Sequence, residues 1–450
     1  MRGVVEGFYG APWSHEERLA LLGFLAAQGL DTYLYAPKND LHHRRHWQRP
    51  YPPLAMERFG ELFARGEQVG VSVVFGVAPA RLLGWNNVTR LGDRDGDGIG
   101  DAGWQALSAK LLALQGVGGR RFALLFDDTA TTFVPALGGA GLGRFHARVA
   151  QRCLELLRRQ DPGADLLLVP AAYSGTWEGL GRAGRAYWAG LSDLGDAAPV
   201  AWTGADIFSR RIRGTEVAEL QEATGLRLVV WNNAVANDWV HLATGELLGL
   251  RGWRKLSYGP VANLDADVAD VSAGVLLNGA LEPRLSRISL ASLARWFEHG
   301  AAYDPVRAHA DALQHAGPPD ALARLHDLVA RHLLVAPDRR EAPALSRALD
   351  DRDPHALRAA LEAVRFLEAD LADADPVLQR EVDPTLRKAH LLASAALADL
   401  DGRPSEGRAR RAQARRIRWL VARRPFARLA RELSGPRSAA SVDRPADPAP

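Results

Sequence analysis

Eight short apolar runs recur between residue 3 and about residue 299, and the stretches between them have helical spacing. The runs are 4–7, 32–36, 71–78, 121–126, 166–170, 200–203, 226–231 and 274–277. Each is rich in Val, Leu and aromatic residues and apolar on both faces, as a strand is when helices cover both sides of a parallel sheet. Ser14-His-Glu-Glu17 is a capping box that opens a helix, and Gly29 closes it. Residues 54–68, 103–116, 142–160 and 287–299 carry apolar positions three to four apart. Eight strand–helix units in this length predict a (β/α)8 TIM barrel. An open doubly wound sheet is the alternative. No Gly-rich phosphate fingerprint follows the first run, which counts against its nucleotide-binding form.

Beyond residue 300 the strand signal stops. Residues 304–335, 341–372 and 375–400 read as Ala/Leu/Arg helices with Pro, Asp and Gly at the breaks, and 408–433 as one further basic helix. The expected organisation is a (β/α)8 catalytic domain over 1–299, a smaller α-helical bundle over 300–433 and a disordered tail over 434–450. With 450 residues, 47% of them apolar, the chain can bury the cores this requires.

The formal charge of +3 hides an asymmetry. Ten arginines and no acidic residue lie between Arg408 and Arg431, so the rest of the chain is mildly acidic. A basic stretch can bind nucleic acid or an anionic surface. No recognition motif accompanies this one, and a solvated helix face is the expected role. Cys153 is alone, which excludes an internal disulfide and a cysteine-based zinc site. No basic n-region with a long apolar h-region follows Met1, and no run approaches the length of a membrane span. A cytoplasmic protein without a membrane contact is expected.

In a barrel the reactive groups gather at the C-terminal ends of the strands. Here those ends carry Glu6-Gly7-Phe8-Tyr9-Gly10, Pro37-Lys38-Asn39-Asp40, Asp127-Asp128, Tyr173, Trp202-Thr203-Gly204, Trp231-Asn232-Asn233 with Asn237-Asp238, and Asn278. Asn, Asp, Lys and Tyr suit the hydroxyls of a sugar, and Trp and Tyr suit its apolar face. Any one of them could be a loop cap; as a set they point to a carbohydrate site. Asp127-Asp128 is the most specific element. Neighbours inside a strand face opposite ways, but where the strand becomes a loop both can turn toward one volume. Two crowded carboxyls do not both ionise easily, so an acid is expected beside an anion. Cleavage of a glycosidic bond requires such a pair. The bland alternative makes Asp127 a turn cap and Asp128 a solvated side chain.

Gly3-Val-Val-Glu-Gly-Phe-Tyr-Gly-Ala-Pro-Trp13, then Thr32-Tyr-Leu-Tyr-Ala-Pro-Lys-Asn-Asp40 with His46-Trp47, resembles glycoside hydrolase family 84. Phe122-Ala-Leu-Leu-Phe-Asp-Asp128 and Trp231-Asn-Asn-Ala-Val-Ala-Asn-Asp238 continue the likeness in the same order. The resemblance covers residues 3 to about 299 and implies a (β/α)8 barrel. It implies a retaining β-N-acetylglucosaminidase in which the substrate's 2-acetamido oxygen attacks the anomeric carbon and forms an oxazoline. No cofactor is implied. The substrate would be a β-GlcNAc glycoside, glycopeptide or glycoprotein. By the same resemblance Asp127 orients and steadies the acetamido group, and Asp128 is the general acid and base. Gly7 and Lys38 correspond to contacts with sugar hydroxyls, Tyr173 to a tyrosine near the reacting centre, and Thr203 to the pocket wall. Asn233 corresponds to an amide near the acetamido group, and Asp238 and Asn278 to groups binding hydroxyls across the ring. Trp231 and Trp239 would supply aromatic walls. Asn232, Trp239 and Ala172 depart from the family pattern, which bears on aglycone preference. A non-catalytic sugar-binding protein on the same barrel is the competing function.

Two weaker signals remain. Asp93, Asp95, Asp97 and Asp101 occupy the first, third, fifth and ninth places of a calcium-type loop, but Trp104 stands where a bidentate Glu belongs. A flexible acidic loop near the mouth is the favoured reading, with no metal site. His42, His43 and His46 fit no metal spacing and are expected in a solvated or sugar-proximal loop.

Overall fold

The computed structural model describes residues 1–79, 101–127, 139–238, 254–329, 343–419, 421 and 426–430. All eight expected strands form. They are β1 (Arg2–Glu6), β2 (Thr32–Tyr35), β3 (Ser72–Val77), β4 (Arg121–Leu125), β5 (Asp165–Val169), β6 (Val200–Trp202), β7 (Leu228–Asn232) and β8 (Gly274–Asn278). They close in sequence order into a barrel. The closing seam is parallel like the rest: Gly3 of β1 stands opposite Thr32 on one side and Leu276 on the other. That pairing excludes the open doubly wound sheet.

A helix follows each strand. In order these are α1 (His15–Ala27), α2 (Pro53–Val69), α3 (Asp101–Gly116), α4 (Gly139–Gln160), α5 (Gly181–Leu191), α6 (Gly214–Thr224), the single turn α7 (Val268–Val271) and α8 (Pro283–His299). Ser14 caps α1 as the sequence predicts, its Oγ accepting from the Glu17 amide at 3.1 Å. Strand alternation divides the apolar residues into two sets. Val5, Leu34, Val74, Ala123, Leu125, Leu167, Val169, Ala201, Val229, Trp231 and Leu276 fill the barrel. Their neighbours, such as Val4, Tyr33, Phe75, Phe122, Leu166, Val200 and Leu228, pack under the helices. Each such aliphatic or aromatic side chain contributes about 1.5–3 kcal/mol relative to exposure. This is why strands that are apolar on both faces stay in place here.

After residue 300 the described chain is helical: α9 (Pro305–Ala316), α10 (Pro319–Leu328), α11 (Pro343–Asp350), α12 (Pro354–Arg365), α13 (Leu367–Asp370), α14 (Pro376–Leu400) and α15 (Pro404–Arg416). The apolar faces of α9 to α14 share one cluster with Leu285 and Ile288 of α8. Glu381 of α14 fixes the junction by accepting the Arg284 and Leu285 amides at 2.9 and 3.0 Å, which caps the start of α8. The basic helix expected over 408–433 is not continuous. It ends at Arg416, and Ile417 is extended. The cause is Lys388, a buried ammonium that takes the carbonyls of Ile417 and Trp419 at 2.9 and 2.6 Å. In a longer helix those carbonyls would be used internally. Trp419 instead pairs with Arg254 in an isolated bridge.

Candidate active site

Extending the inward set past six of the strand ends yields a candidate pocket. Val5 leads to Gly7, Ala36 to Lys38, Leu125 to Asp127, Ala201 to Thr203, Trp231 to Asn233, and Leu276 to Asn278. All six destinations are buried. The two-residue period of a strand therefore aims residues from six strands at one volume.

Their hydrogen bonds run around the rim. Asn278 accepts the Gly7 amide on Oδ1 at 3.1 Å and donates through Nδ2 to Asn233 Oδ1 at 2.9 Å. The Trp231 indole N–H donates to the same Asn233 oxygen at 2.9 Å. Asn233 Nδ2 donates in turn to the Ile207 carbonyl at 2.8 Å. Asp238 joins from the β7 loop, its Oδ2 accepting the Tyr9 amide at 2.8 Å. Gly7 is needed for a close approach, since a Cβ there would lie 2.4 Å from Trp231 Cζ2. On the opposite side the Lys38 ammonium is ion-paired with Asp127 Oδ2, both side chains being more than nine-tenths buried. Lys38 Nζ also stands 6.0 Å from the centre of the Trp231 ring. Asp127 Oδ1 is buried and has no hydrogen-bond partner among the described residues. Tyr173, half-buried, is held by its carbonyl, which accepts the Thr203 amide at 2.9 Å.

The structure thus brings together Gly7, Lys38, Asp127, Thr203, Trp231, Asn233 and Asn278, with Tyr173 and Asp238 on adjoining loops. Asp128, Trp239, Asp93, Asp95 and Asp97 lie outside the described residues; Asp101 opens α3, its side chain also outside.

Other polar strand-end residues face outward and hold the scaffold. Glu6 is fully buried and receives both arms of Arg18 at 2.7 and 2.8 Å, the Tyr33 hydroxyl at 2.5 Å and the Trp13 amide at 3.0 Å. Asp40 gathers the Tyr35 and Tyr51 hydroxyls and the His42 and His43 amides, which shapes the β2–α2 connection. Asn232 exchanges reciprocal amide bonds with Asn263 at 2.9 and 3.0 Å. Trp202 is fully buried, so it offers a sugar no surface. His43 is not solvated. It is enclosed, its Nδ1 sits 2.8 Å from the Gly76 carbonyl, and burial presses its pKa down to about 4.

Two buried acids behind the pocket were not anticipated. Glu282 accepts from Asn237 Nδ2 at 2.6 Å, and burial pushes its pKa up to about 7. Glu381, capping α8, is pushed up to about 8, again chiefly by burial. The signal available for Glu282 was its place immediately before Pro283 at a helix start. Among the described residues no group of three or more His, Cys, Asp or Glu could hold a metal ion. Among them too, no helix is long and apolar enough to cross a membrane.

A family model described as beta-N-acetylglucosaminidase matches residues 2–330, spanning the whole barrel and the start of the helices after it. The chain belongs to the beta-N-acetylglucosaminidase family. Protein O-GlcNAcase of Rattus norvegicus and that of Mus musculus are each 27% identical to it over 297 residues, or 66% of this chain. The chain spans 30% of the length of those relatives. A mutant O-GlcNAc hydrolase of Thermobaculum terrenum has a similar solved structure, with a TM-score of 0.77 at 20% identity. That match covers 96% of this chain and 94% of the other. At that identity it speaks for a shared fold, one that continues through the helices beyond the barrel.

Proposed function

We propose that the chain is a retaining β-N-acetylglucosaminidase that hydrolyses terminal β-linked N-acetylglucosamine through an oxazoline intermediate. The observation that carries this is the unequal use of the two Asp127 oxygens. Lys38 holds Oδ2, while Oδ1 is buried and accepts nothing from the described residues. A buried acceptor without a donor costs about 1–3 kcal/mol, and more when charged. An acetamido N–H arriving with the substrate would offset that cost.

In the first step the acetamido oxygen attacks the anomeric carbon as the glycosidic oxygen departs with a proton from Asp128. The N–H, bound to Asp127, becomes more acidic as positive charge develops on the ring, and the nearby carboxylate stabilises that charge. Asp128 then removes a proton from water, which opens the oxazoline at the same carbon and restores the acetamido group. Gly7, Lys38, Asp238 and Asn278 would hold hydroxyls. Trp231 and Thr203 would form the walls, and Asn233 and Tyr173 would hold the reacting centre. Asn278 Nδ2 has a second N–H beyond the one it gives Asn233. The rat and mouse relatives are named for removal of O-GlcNAc from protein, so a GlcNAc-bearing protein is the proposed substrate class.

The test is hydrolysis of aryl β-N-acetylglucosaminides by wild type, Asp127→Asn and Asp128→Asn. Both variants should lose roughly 10²–10⁴-fold. A leaving group that needs no protonation should rescue Asp128→Asn and leave Asp127→Asn impaired. Equal turnover by all three proteins would refute the mechanism. Sugar binding without turnover by the wild type would favour the non-catalytic alternative.

A further inference from the structure

Behind the barrel wall, a pair of buried side chains on two helices reaches the ends of both β4 and β5. The His146 imidazole of α4 lies flat on Phe126, with ring centres 3.8 Å apart and planes 5° apart. Phe126 immediately precedes Asp127. His146 Nδ1 is 2.8 Å from the hydroxyl of Tyr187 on α5. That hydroxyl accepts the amide of Ala171, two residues before Tyr173, at 3.0 Å. With the Ala171 amide donating to its oxygen, the Tyr187 phenol keeps its own O–H to give to the His146 ring. When the O–H points to Nδ1, the imidazole is neutral and carries its hydrogen on Nε2. Burial agrees with this state, pressing the His146 pKa down to about 3.

The sequence builds this contact through small residues. A Cβ on Gly143 of α4 would lie 2.1 Å from the Tyr187 carbonyl oxygen, and one on Gly190 of α5 would lie 2.1 Å from that of Ala140. Bare backbones at these positions let the helices approach until His146 and Tyr187 meet. Tyr187 has a neighbour in the same task, since the Trp188 indole N–H donates to the Ala172 carbonyl at 3.0 Å.

The sheet itself stops short of the pocket here. The Phe126 amide still bonds the Val169 carbonyl at 2.8 Å, but Asp127 and Tyr173 come after that rung. We infer that Tyr187 and His146 are positioning residues that set Asp127 relative to Tyr173, through the Phe126 stack on one side and the Ala171 amide on the other. The inference rests on the hydrolytic function proposed above. His146 bears on Phe126 and Tyr187 on Ala171, so both act through the chain neighbours of the site residues. Removing the Tyr187 hydroxyl orphans a buried N–H and a buried imidazole nitrogen together, freeing the β5 loop to shift. A displacement of about 1 Å in a group that orients the reacting acetamide costs on the order of 10²-fold in rate.

The test compares wild type, Tyr187→Phe, Tyr173→Phe and the double variant on an aryl β-N-acetylglucosaminide. Tyr187→Phe should lower kcat by roughly ten- to a hundredfold while leaving KM within about threefold. In the Tyr173→Phe background the same change should cost less than about threefold, because the group being positioned is already gone. A purely structural role would reduce thermal stability and scale activity equally in both backgrounds. Such an equal loss overturns the inference, as does a Tyr187→Phe kcat within about twofold of wild type. If Tyr187→Phe is not recovered folded, His146→Phe keeps the ring on Phe126, removes the acceptor, and is judged by the same outcomes. A wild type that hydrolyses nothing refutes the proposed function and this inference with it. An active wild type that is indifferent to Tyr187→Phe refutes this inference alone.

Discussion

Gly7→Ala adds one methyl group where the pocket has no room for it. The new Cβ would stand 2.4 Å from Trp231 Cζ2 and 2.8 Å from Cη2, whereas carbons in contact sit about 3.5–4.0 Å apart. The indole must therefore retreat by about 1 Å. It is only 5% exposed and packs within the barrel interior, so it cannot swing into solvent. Overpacking of this kind costs about 1–3 kcal/mol. The retreat also carries Nε1 away from Asn233 Oδ1, and a 2.9 Å bond does not survive a 1 Å displacement. Asn233 is tied to Asn278, and Asn278 to the residue 7 amide, so the disturbance returns to its origin. Turnover of an aryl β-N-acetylglucosaminide should fall on the order of 10²-fold in kcat/KM, with the urea midpoint lowered in proportion to the overpacking. Trp231→Phe in the same chain should relieve part of the clash, so the double variant should lose less stability than the sum of the two. Unchanged kcat/KM together with a lowered midpoint would refute the coupling, and no change in either would refute the steric basis.

Three further outcomes concern the scaffold. Glu6→Gln should cost about 3–5 kcal/mol in urea unfolding because it strands the Arg18 guanidinium; replacing both residues with neutral ones should cost less, and equal losses would count against a pairwise origin. Glu282 has its folded pKa raised to about 7 from 4.5. Its stabilising share is therefore complete below the unfolded value and disappears as pH rises through about 7. Between roughly pH 5 and 8 the unfolding free energy of Glu282→Gln should fall less than that of wild type, by a margin bounded near 3 kcal/mol, and parallel curves would disprove the linkage. Burial pushes the Cys153 thiol well above its ordinary range, so a thiol reagent should label it only on unfolding, and prompt native-state labelling would contradict the core placement.

The barrel was legible because each strand is apolar on both faces, a pattern that few arrangements other than a covered parallel sheet satisfy. The candidate site residues stood out as polar groups at strand ends, but which of two neighbours would continue the inward row did not. Glu6 and Gly7, Trp202 and Thr203, and Asn232 and Asn233 all carried plausible chemistry. Only strand phase divides them, with Gly7, Thr203 and Asn233 continuing the rows of Val5, Ala201 and Trp231. Counting by twos from those interior residues would have separated them. Pairings across long separations had no such marker. Nothing near Asn232 announces Asn263, and nothing near His146 announces Tyr187, 41 residues on. The end of α15 was hidden for the same reason, because the lysine that draws the chain out of helix lies in α14. Composition alone reads straight through that point.

The bond from the Gly7 amide to Asn278 joins residues 271 positions apart, and the one from Tyr9 to Asp238 spans 229. On a ribosome the first strand emerges long before its final partner. Until residue 278 has cleared the exit tunnel, Gly7 lacks the side chain that orients it and β1 presents an unpaired edge. Such late, long-range pairing makes folding slow and leaves intermediates open to aggregation. It also makes the proposed hydrolysis a stringent reporter. A nascent or partly folded chain can contain Asp127 and Lys38 and still have no pocket, so the onset of hydrolysis during synthesis or refolding would time the closure of the barrel.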